Sequence, residues 1–235
     1  MNGRPSNAEQ RYAVKKFVKE QGVDGWEEAW RRGITPWENF DGAQPPLRDL
    51  IVSARVPFKS PGRALVPGCG RGLDAIYIAS SLGVDTLGID ISPSAVAAAK
   101  AQLSRHPQAI RDPGKVTFEE LDFFKLTVPE DERFDIVYDY TFFCAIPPSR
   151  RKEWGQQITA LTTPDAYLVT LLYPLSVTAE DGGPPYHMRR DHYKDALPGW
   201  KRAIDEQPKA SSPGHEGEER LMVWRKVGLN KESAD

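Results

Sequence analysis

The chain has little cysteine: Cys69 and Cys144 are its two thiols in 235 residues. Two thiols cannot build a disulfide framework, which points to a reducing, intracellular setting. No run approaches the roughly 18 apolar residues that a membrane-spanning helix needs. Residues 1–10 are polar and carry no apolar h-region, so no secretory signal is expected and the cytoplasm is the expected compartment. Neither sign of charge dominates, with Lys+Arg 31 against Asp+Glu 33 and a formal charge of -2. Without a basic excess to neutralise phosphates, nucleic acid is not an expected partner. The four histidines, His106, His187, His192 and His215, show no metal-ligand spacing, so no metal is expected. There is no internal repeat, low-complexity tract, coiled coil or long apolar stripe, and a monomer is expected. What remains is an ordinary globular composition, 40% hydrophobic and 27% charged, long enough for one core with an appendage.

The N-terminal part reads as helical. Ala13, Phe17 and Val18 recur at helical spacing within residues 8–21. Trp26 and Trp30 stand four apart in Asp24–Arg31 and so share a helix face. Trp37 follows in a short loop, and Pro45 and Pro46 open a third helix over 45–54. From Arg63 strands alternate with helices. Strand 64–66 leads to helix 73–82. Strand 85–89 leads to a helix capped by Ser92, with Pro93 in its first turn, that runs to about Ser104. Strands 116–118 and 134–138 precede a helix over 149–161, for which Ser149 is the expected cap. Strand 166–173 is almost wholly apolar, as a strand buried on both faces should be. A short helix over 193–197, a strand over 200–204, a turn or flexible loop over 207–217 and a last strand over 219–227 complete the chain. This order predicts an α/β fold: a doubly wound, Rossmann-like, seven-stranded, mostly parallel sheet. Residues 1–55 are expected to form an N-terminal helical lid, 56–229 the main domain and 230–235 a flexible tail. Such sheets bind ligands at the carboxyl ends of their strands.

The strongest motif sits there: Val66-Pro67-Gly68-Cys69-Gly70-Arg71-Gly72 between the first strand and its helix. Gly68, Gly70 and Gly72 permit positive φ and a close backbone approach to a ligand. Asp90, 18 residues beyond Gly72, ends the second strand, where a carboxylate can accept two hydrogen bonds from a ribose diol. A dinucleotide fold wants G-x-G-x-x-G beside a pyrophosphate. This chain has G-x-G-x-G, with Leu73 where the dinucleotide glycine would stand and little positive charge beyond Arg71. The pattern reads as a site for a nucleoside without phosphates, S-adenosylmethionine. A merely tight strand-to-helix turn is the competing reading.

Leu65–Asp74 and Gly88–Ser92 resemble the class I methyltransferases of the thiopurine methyltransferase-like family, and the resemblance runs from about Trp26 to Ile204. It takes in the upstream tryptophans, Leu121-Asp122-Phe123-Phe124 and Asp139-Tyr140. Gly182–Tyr186 is similar to the plant halide and thiol methyltransferases of that family, and the chain as a whole to fungal enzymes that S-methylate both thiols of a reduced epidithiodiketopiperazine. The resemblance implies S-adenosylmethionine as methyl donor and S-adenosylhomocysteine as product. It implies that Asp122 accepts from the adenine amino group, that Phe123 packs on the ring, and that Asp139 and Tyr140 contact the cofactor. Composition leaves Trp26, Trp30 and Trp37 open between a helix stapled to the core and a lid whose rings face a sulfonium; the family's tryptophan-bearing lid favours the second.

Phe142, Tyr173 and Tyr186 are the acceptor-site candidates, with rim packing as the alternative for the tyrosines. Asp139 and Tyr173 are the candidates for assisting a thiol. Asp122 could equally form a local turn. Cys144 reads as buried, and Cys69 as a filler beside the glycines. The expected reaction is methyl transfer to a small-molecule thiol, foremost both thiols of a reduced epidithiodiketopiperazine in two turnovers. A halide, small-thiol or thiopurine acceptor is the alternative. A nicotinamide-dependent oxidoreductase and a non-catalytic nucleoside-binding protein are the readings from other classes.

Overall fold

The computed structural model describes residues 6–38, 41–105, 112 and 114–227. The expected tail over 230–235 and the first five residues lie outside the described residues. Three helices come first: α1 (Asn7–Gln21), α2 (Asp24–Arg31) and α3 (Pro45–Val52). Then follow β1 (Arg63–Pro67), α4 (Leu73–Leu82), β2 (Asp85–Asp90), α5 (Pro93–Ser104), β3 (Val116–Glu120), β4 (Phe134–Tyr140), α6 (Arg151–Leu161), β5 (Thr162–Leu172), α7 (Arg190–Ala196), β6 (Trp200–Glu206) and β7 (Arg220–Lys226). The seven strands form one sheet in the order β3-β2-β1-β4-β5-β7-β6. β1 to β5 are parallel, while β7 runs antiparallel between β5 and β6. The expected doubly wound, seven-stranded, mostly parallel fold is therefore what the chain adopts. The strand order reverses at β1 and β4, and the crevice above that switch is where such sheets bind ligands.

Each face of the sheet carries its own core. One holds Phe134, Phe143, Trp154, Ile158, Leu168 and Tyr193 under α6 and α7. The other holds Leu50, Val66, Ile78, Val96, Ile136 and Val223 under α3, α4 and α5. The rings of Phe143 and Tyr193 stack at 4.0 Å, and Trp154 meets Phe143 edge-on at 4.7 Å. Helices α1 and α2 pack on each other through Val14, Phe17 and Ala29, with Trp26 and Trp37 against that cluster.

Local chemistry sets most boundaries. Ser6 caps α1 in a reciprocal pair with Glu9, and the Ser92 hydroxyl accepts from the Ala95 N–H at the start of α5. Ser149 does not cap α6. It lies exposed in a 3₁₀ turn over Pro148–Arg150, and the helix begins at Arg151 with no side-chain cap. The tandem Pro147 and Pro148 hold the chain in that tight turn, and Arg150 reaches forward to Glu153 instead. The third helix stops at Val52, and Ala54 turns out at φ 50°. β5 starts four residues before its apolar run, because a register shift against β4 between Phe134 and Ile136 absorbs Pro164 and Asp165. The short helix and the strand after it run longer than expected, as α7 over Arg190–Ala196 and β6 over Trp200–Glu206.

Residues 207–217, expected as a turn or flexible loop, carry turns and no helix or strand, but two of their side chains are buried. Ser212 and His215 are 1% and 2% exposed, and the Ser212 hydroxyl donates to Gln44 Oε1 at 2.8 Å. Most of the segment is exposed, and these two polar side chains turn inward to polar partners.

Candidate active site

A cleft of about 510 Å³ opens above the carboxyl ends of β1, β2 and β4 and is roofed by α1, α2 and the loop after α2. Its floor is the glycine loop. Gly68, Gly70 and Gly72 all have positive φ, at 59°, 52° and 74°. Gly72 doubles as the N-cap of α4, and a Cβ there would strike the Phe118 ring. A Cβ on Gly70 would stand 2.5 Å from Glu38 Oε1. Only glycine fits these positions, and a ligand can approach bare backbone.

Asp90 lies at the lip of β2, 9% exposed. Its Oδ1 accepts from Ser92 N at 3.0 Å, and its Oδ2 from Gly70 N at 3.1 Å. Desolvation outweighs those donors and pushes its carboxyl up to about 6. Each oxygen keeps a lone pair for a further donor, as a ribose diol would supply. Asp122 lines the cleft beside Phe123 and Phe124. Its Oδ1 also accepts from Phe124 N at 3.0 Å, so the local turn and the place at the cleft coexist. Phe123 meets Phe142 edge-on at 5.1 Å, and the Phe142 ring fills the space a Cβ on Gly68 would need.

Trp26, Trp30 and Trp37 all line the cleft, with Trp37 edge-on to the other two at 5.6 and 6.3 Å. The same rings thus serve both as helix packing and as cleft wall. Two acidic groups hold this roof down. Glu27 on α2 accepts from the Ser92 and Ser94 hydroxyls, each at 2.6 Å, and from Ser94 N at 3.0 Å. Glu38 takes Arg71 Nε at 2.5 Å. Burial pushes the Glu38 carboxyl up despite that guanidinium. No spacing in the sequence ties Glu27 to Ser92, or Glu38 to Arg71.

Asp139 is not where it was expected. It is 1% exposed and its side chain does not reach the cleft; Oδ1 accepts from Phe143 N at 3.0 Å and Oδ2 from Trp154 Nε1 at 3.1 Å. Alternation along β4 turns it to the α6 face, where it pins the Thr141–Ala145 turn, while Tyr138 and Tyr140 face the cleft. It cannot touch a thiol there, so the expectation that it assists one is corrected.

Tyr140, Tyr173 and Tyr186 come together at the far end of the cleft, joined by Arg11 from α1. Arg11 Nη2 donates to the Tyr173 hydroxyl at 3.2 Å. Burial pushes that phenol up, against the opposite pull of Arg11, so Tyr173 stays protonated at neutral pH. It can donate a hydrogen bond but supplies no base. The two thiols are no nucleophiles either. Desolvation pushes Cys144 up to about 12, and Cys69 well above the usual thiol range.

A glycine cradle, a carboxylate at the end of β2, an aromatic roof and a separate tyrosine-lined end thus share one cleft. The thiopurine S-methyltransferase family model matches residues 21–226. The chain belongs to the thiopurine S-methyltransferase family. It is 39% identical over 217 residues to thiocyanate methyltransferase 1 of Brassica oleracea, covering 91% of this chain and 90% of that one. It is 35% identical over 213 residues to probable thiol methyltransferase 2 of Arabidopsis thaliana, covering 90% and 88%. The fold is shared with the magnesium protoporphyrin IX methyltransferase ChlM from Synechocystis PCC 6803 with bound SAH, at TM-score 0.64 and 17% identity over 91% of this chain and 99% of that one. As a thiopurine S-methyltransferase family member with the class I fold, the protein is an S-adenosylmethionine-dependent methyltransferase, and the cradle, Asp90 and the tryptophan roof fit that donor. Among the described residues no helix is long and apolar enough to cross a membrane, and no group of three or more His, Cys, Asp or Glu could hold a metal ion.

Proposed function

We propose that the protein methylates the sulfur of a small organic thiol, and that the reduced dithiol of an epidithiodiketopiperazine, methylated in two turnovers, is its acceptor class. The observation that carries this reading is the acceptor end itself. Tyr140, Tyr173 and Tyr186, with Pro184 and Pro185, offer an apolar, aromatic surface suited to an organic molecule. The bound sulfonium supplies an already activated methyl group with a neutral leaving thioether. The remaining task for this chain is alignment. In this reading Gly68, Gly70 and Asp90 hold the nucleoside. Asp122 and Phe123 hold its base. The Trp26, Trp30 and Trp37 rings face the cation, each contact being worth about 0.5–2 kcal/mol. Phe142 and Tyr140 bound the space between donor and acceptor, and the Tyr173 hydroxyl donates to the acceptor sulfur. With both cysteines protonated, transfer is direct, with no methylated enzyme intermediate. A dithiol needs the roof to open between turnovers, so that the spent nucleoside can exchange.

A second reading has one observation in its favour. Arg11 brings a fixed positive charge to the acceptor end, which suits a small anion such as the thiocyanate in the name of the Brassica relative. One panel separates the two. The protein is incubated with S-adenosylmethionine and, separately, with thiocyanate, an aromatic thiol and a reduced dithiol, and methyl additions are read by mass. The expected result is two additions on the dithiol. Turnover of thiocyanate alone overturns the acceptor reading. Calorimetric titration with S-adenosylhomocysteine, with NADH as control, tests the donor site; NADH binding in its place would overturn the methyltransferase reading.

A further inference from the structure

Behind the acceptor end lies a polar cluster for which methyl transfer, as set out above, has no use. Strand register builds it. Tyr140 pairs with Leu171, and Leu171 with Leu221. Two residues further along the same face come Tyr173 after β5 and Glu219 before β7, so both stand beside Tyr140. The segment before β7 then folds His215 over this row. Its ring stacks on Tyr173 at 3.7 Å and lies 6.3 Å from the Tyr140 ring. His215 Nδ1 is 3.3 Å from Glu219 Oε2, and the two residues are 2% and 1% exposed.

Four polar atoms here are buried without a hydrogen-bond partner in the chain: the Tyr138 and Tyr140 hydroxyls, His215 Nε2 and Glu219 Oε1. Buried polar atoms are nearly always paired, so four orphans in one place call for a function. Tyr138 and Tyr140 line the cleft, whereas His215 and Glu219 stand one layer behind them. An imidazole held at one nitrogen by a carboxylate and unpartnered at the other is the arrangement of an oriented base.

We propose that Glu219 and His215 form a buried proton-holding pair that acts on the acceptor thiol through the Tyr140 hydroxyl. The proposal rests on the thiol reading above. The thiol S–H bond breaks and its proton passes to the Tyr140 oxygen. Tyr140 gives its own proton inward to the unpartnered His215 Nε2, and Glu219 at Nδ1 faces the resulting imidazolium. The sulfur's electron pair forms the new S–CH₃ bond, while the C–S bond of the sulfonium breaks and leaves its pair on the departing thioether. No direct hydrogen bond joins the Tyr140 hydroxyl to His215 Nε2, so the relay requires a bridging water or a ring rotation. The other ionisable groups around the pair and its tyrosines are Asp74 from α4, Tyr138, Asp139 and Tyr140 from β4, Cys144 after β4, Tyr173 after β5, Glu218 before β7 and Arg11 from α1. His215 and Glu219 do not touch the acceptor and are positioning residues.

The magnitude follows from thiol ionisation. A thiol of pKa about 8.5 is about 3% thiolate at pH 7, so losing the proton acceptor costs up to about 30-fold there and nothing near pH 10. The test compares wild type with His215→Gln and Glu219→Gln on two acceptors, an aliphatic thiol and a strongly acidic aromatic thiol already ionised at pH 7. The expected result is a 10- to 30-fold fall in the aliphatic-to-aromatic ratio of kcat at pH 7 that disappears by pH 10. The melting temperature and S-adenosylhomocysteine affinity of each variant report on folding. In the S-adenosylhomocysteine complex, thiolate absorbance of a weakly acidic aromatic thiol should appear at lower pH in wild type than in either variant. Equal losses on both acceptors, or an unchanged ratio at every pH, overturn the pair's role while leaving the thiol reading intact. Wild type inactive on both acceptors overturns the thiol reading, and this proposal with it.

Discussion

Replacing Asp139 by Asn separates a structural carboxylate from a chemical one. Burial lifts the Asp139 carboxyl from 3.8 to about 7, against the opposing bonds from Phe143 N and Trp154 Nε1. A folded-state value above the unfolded one means that the native protein keeps a proton which the unfolded chain has released. The associated stability is fully present below about pH 4 and is lost as pH rises through 7. At about 1.36 kcal/mol per unit, the interval from pH 5.5 to 7 is worth about 2 kcal/mol, and the contribution is exhausted by pH 8.5. Asparagine cannot titrate, so the variant should lack that part of the pH dependence. At any one pH it also suffers, because its amide donor must face Phe143 N or Trp154 Nε1, both of them donors, at a cost of about 1–3 kcal/mol. The two effects are separable because only the first varies with pH. Urea unfolding at pH 5.5, 7.0 and 8.5 measures both. Wild type should lose about 2 kcal/mol more than Asp139→Asn between the extremes, on top of any loss the two share through Asp74 and Asp90, which burial also raises. Parallel curves for the two proteins would refute the reasoning, since they would mean that Asp139 is solvated or fully compensated.

Three further outcomes follow from the same geometry. Trp30→Leu should weaken S-adenosylmethionine by about 2- to 30-fold, the range of a cation–π contact, and the neutral product much less; calorimetry with both ligands checks this, and equal weakening would remove the sulfonium from the roof's role. Glu27→Gln breaks the charged end of the α2 latch on Ser92 and Ser94, where burial opposes but the serine donors hold the carboxyl below its usual range. Amide exchange in α2 should speed up by a factor reflecting about 1 kcal/mol, with the exchange of β4 unchanged. Gly155→Ala would place a methyl on the Ala196 carbonyl oxygen, where α6 meets α7. An overpacking cost of about 1–3 kcal/mol lowers the melting temperature by about 2–12 °C, and a wild-type melting curve would contradict the contact.

Legibility in the sequence followed how local each signal is. The glycine loop, the Ser92 cap with Pro93, and the near-continuous apolar run of β5 are set by φ, by a missing N–H or by two-sided burial. Each was readable, and each lies where it was expected. Boundaries failed where a neighbour decided them. Ser149 was readable as a cap only without the conformational demand of Pro147 and Pro148. Thr162–Asp165 lies outside the apolar run from which the strand is read, and only pairing with β4 brings it into the strand.

Side-chain chemistry shows the same division. Residue types at strand ends announce a carboxylate near the crevice, and Asp90 is one. Which way a strand-end residue faces depends on the sheet's alternation and on what its neighbours donate, so Asp139 went to Trp154 while Tyr138 and Tyr140 went to the cleft. Composition marks 207–217 as solvated, because polar residues are mostly exposed. His215 is buried there because Ser212 finds Gln44, 168 positions away in the chain, and because Tyr173 offers its ring.

The sequence by itself determined the class of fold and the glycine loop at the end of the first strand. Those depend on backbone freedom and on periodicities that span a few residues. The tertiary structure alone decided which acids line the cleft, which pin the scaffold and which histidine stacks on Tyr173. Those outcomes depend on desolvation and on partners brought together from distant parts of the chain, and no local pattern encodes either.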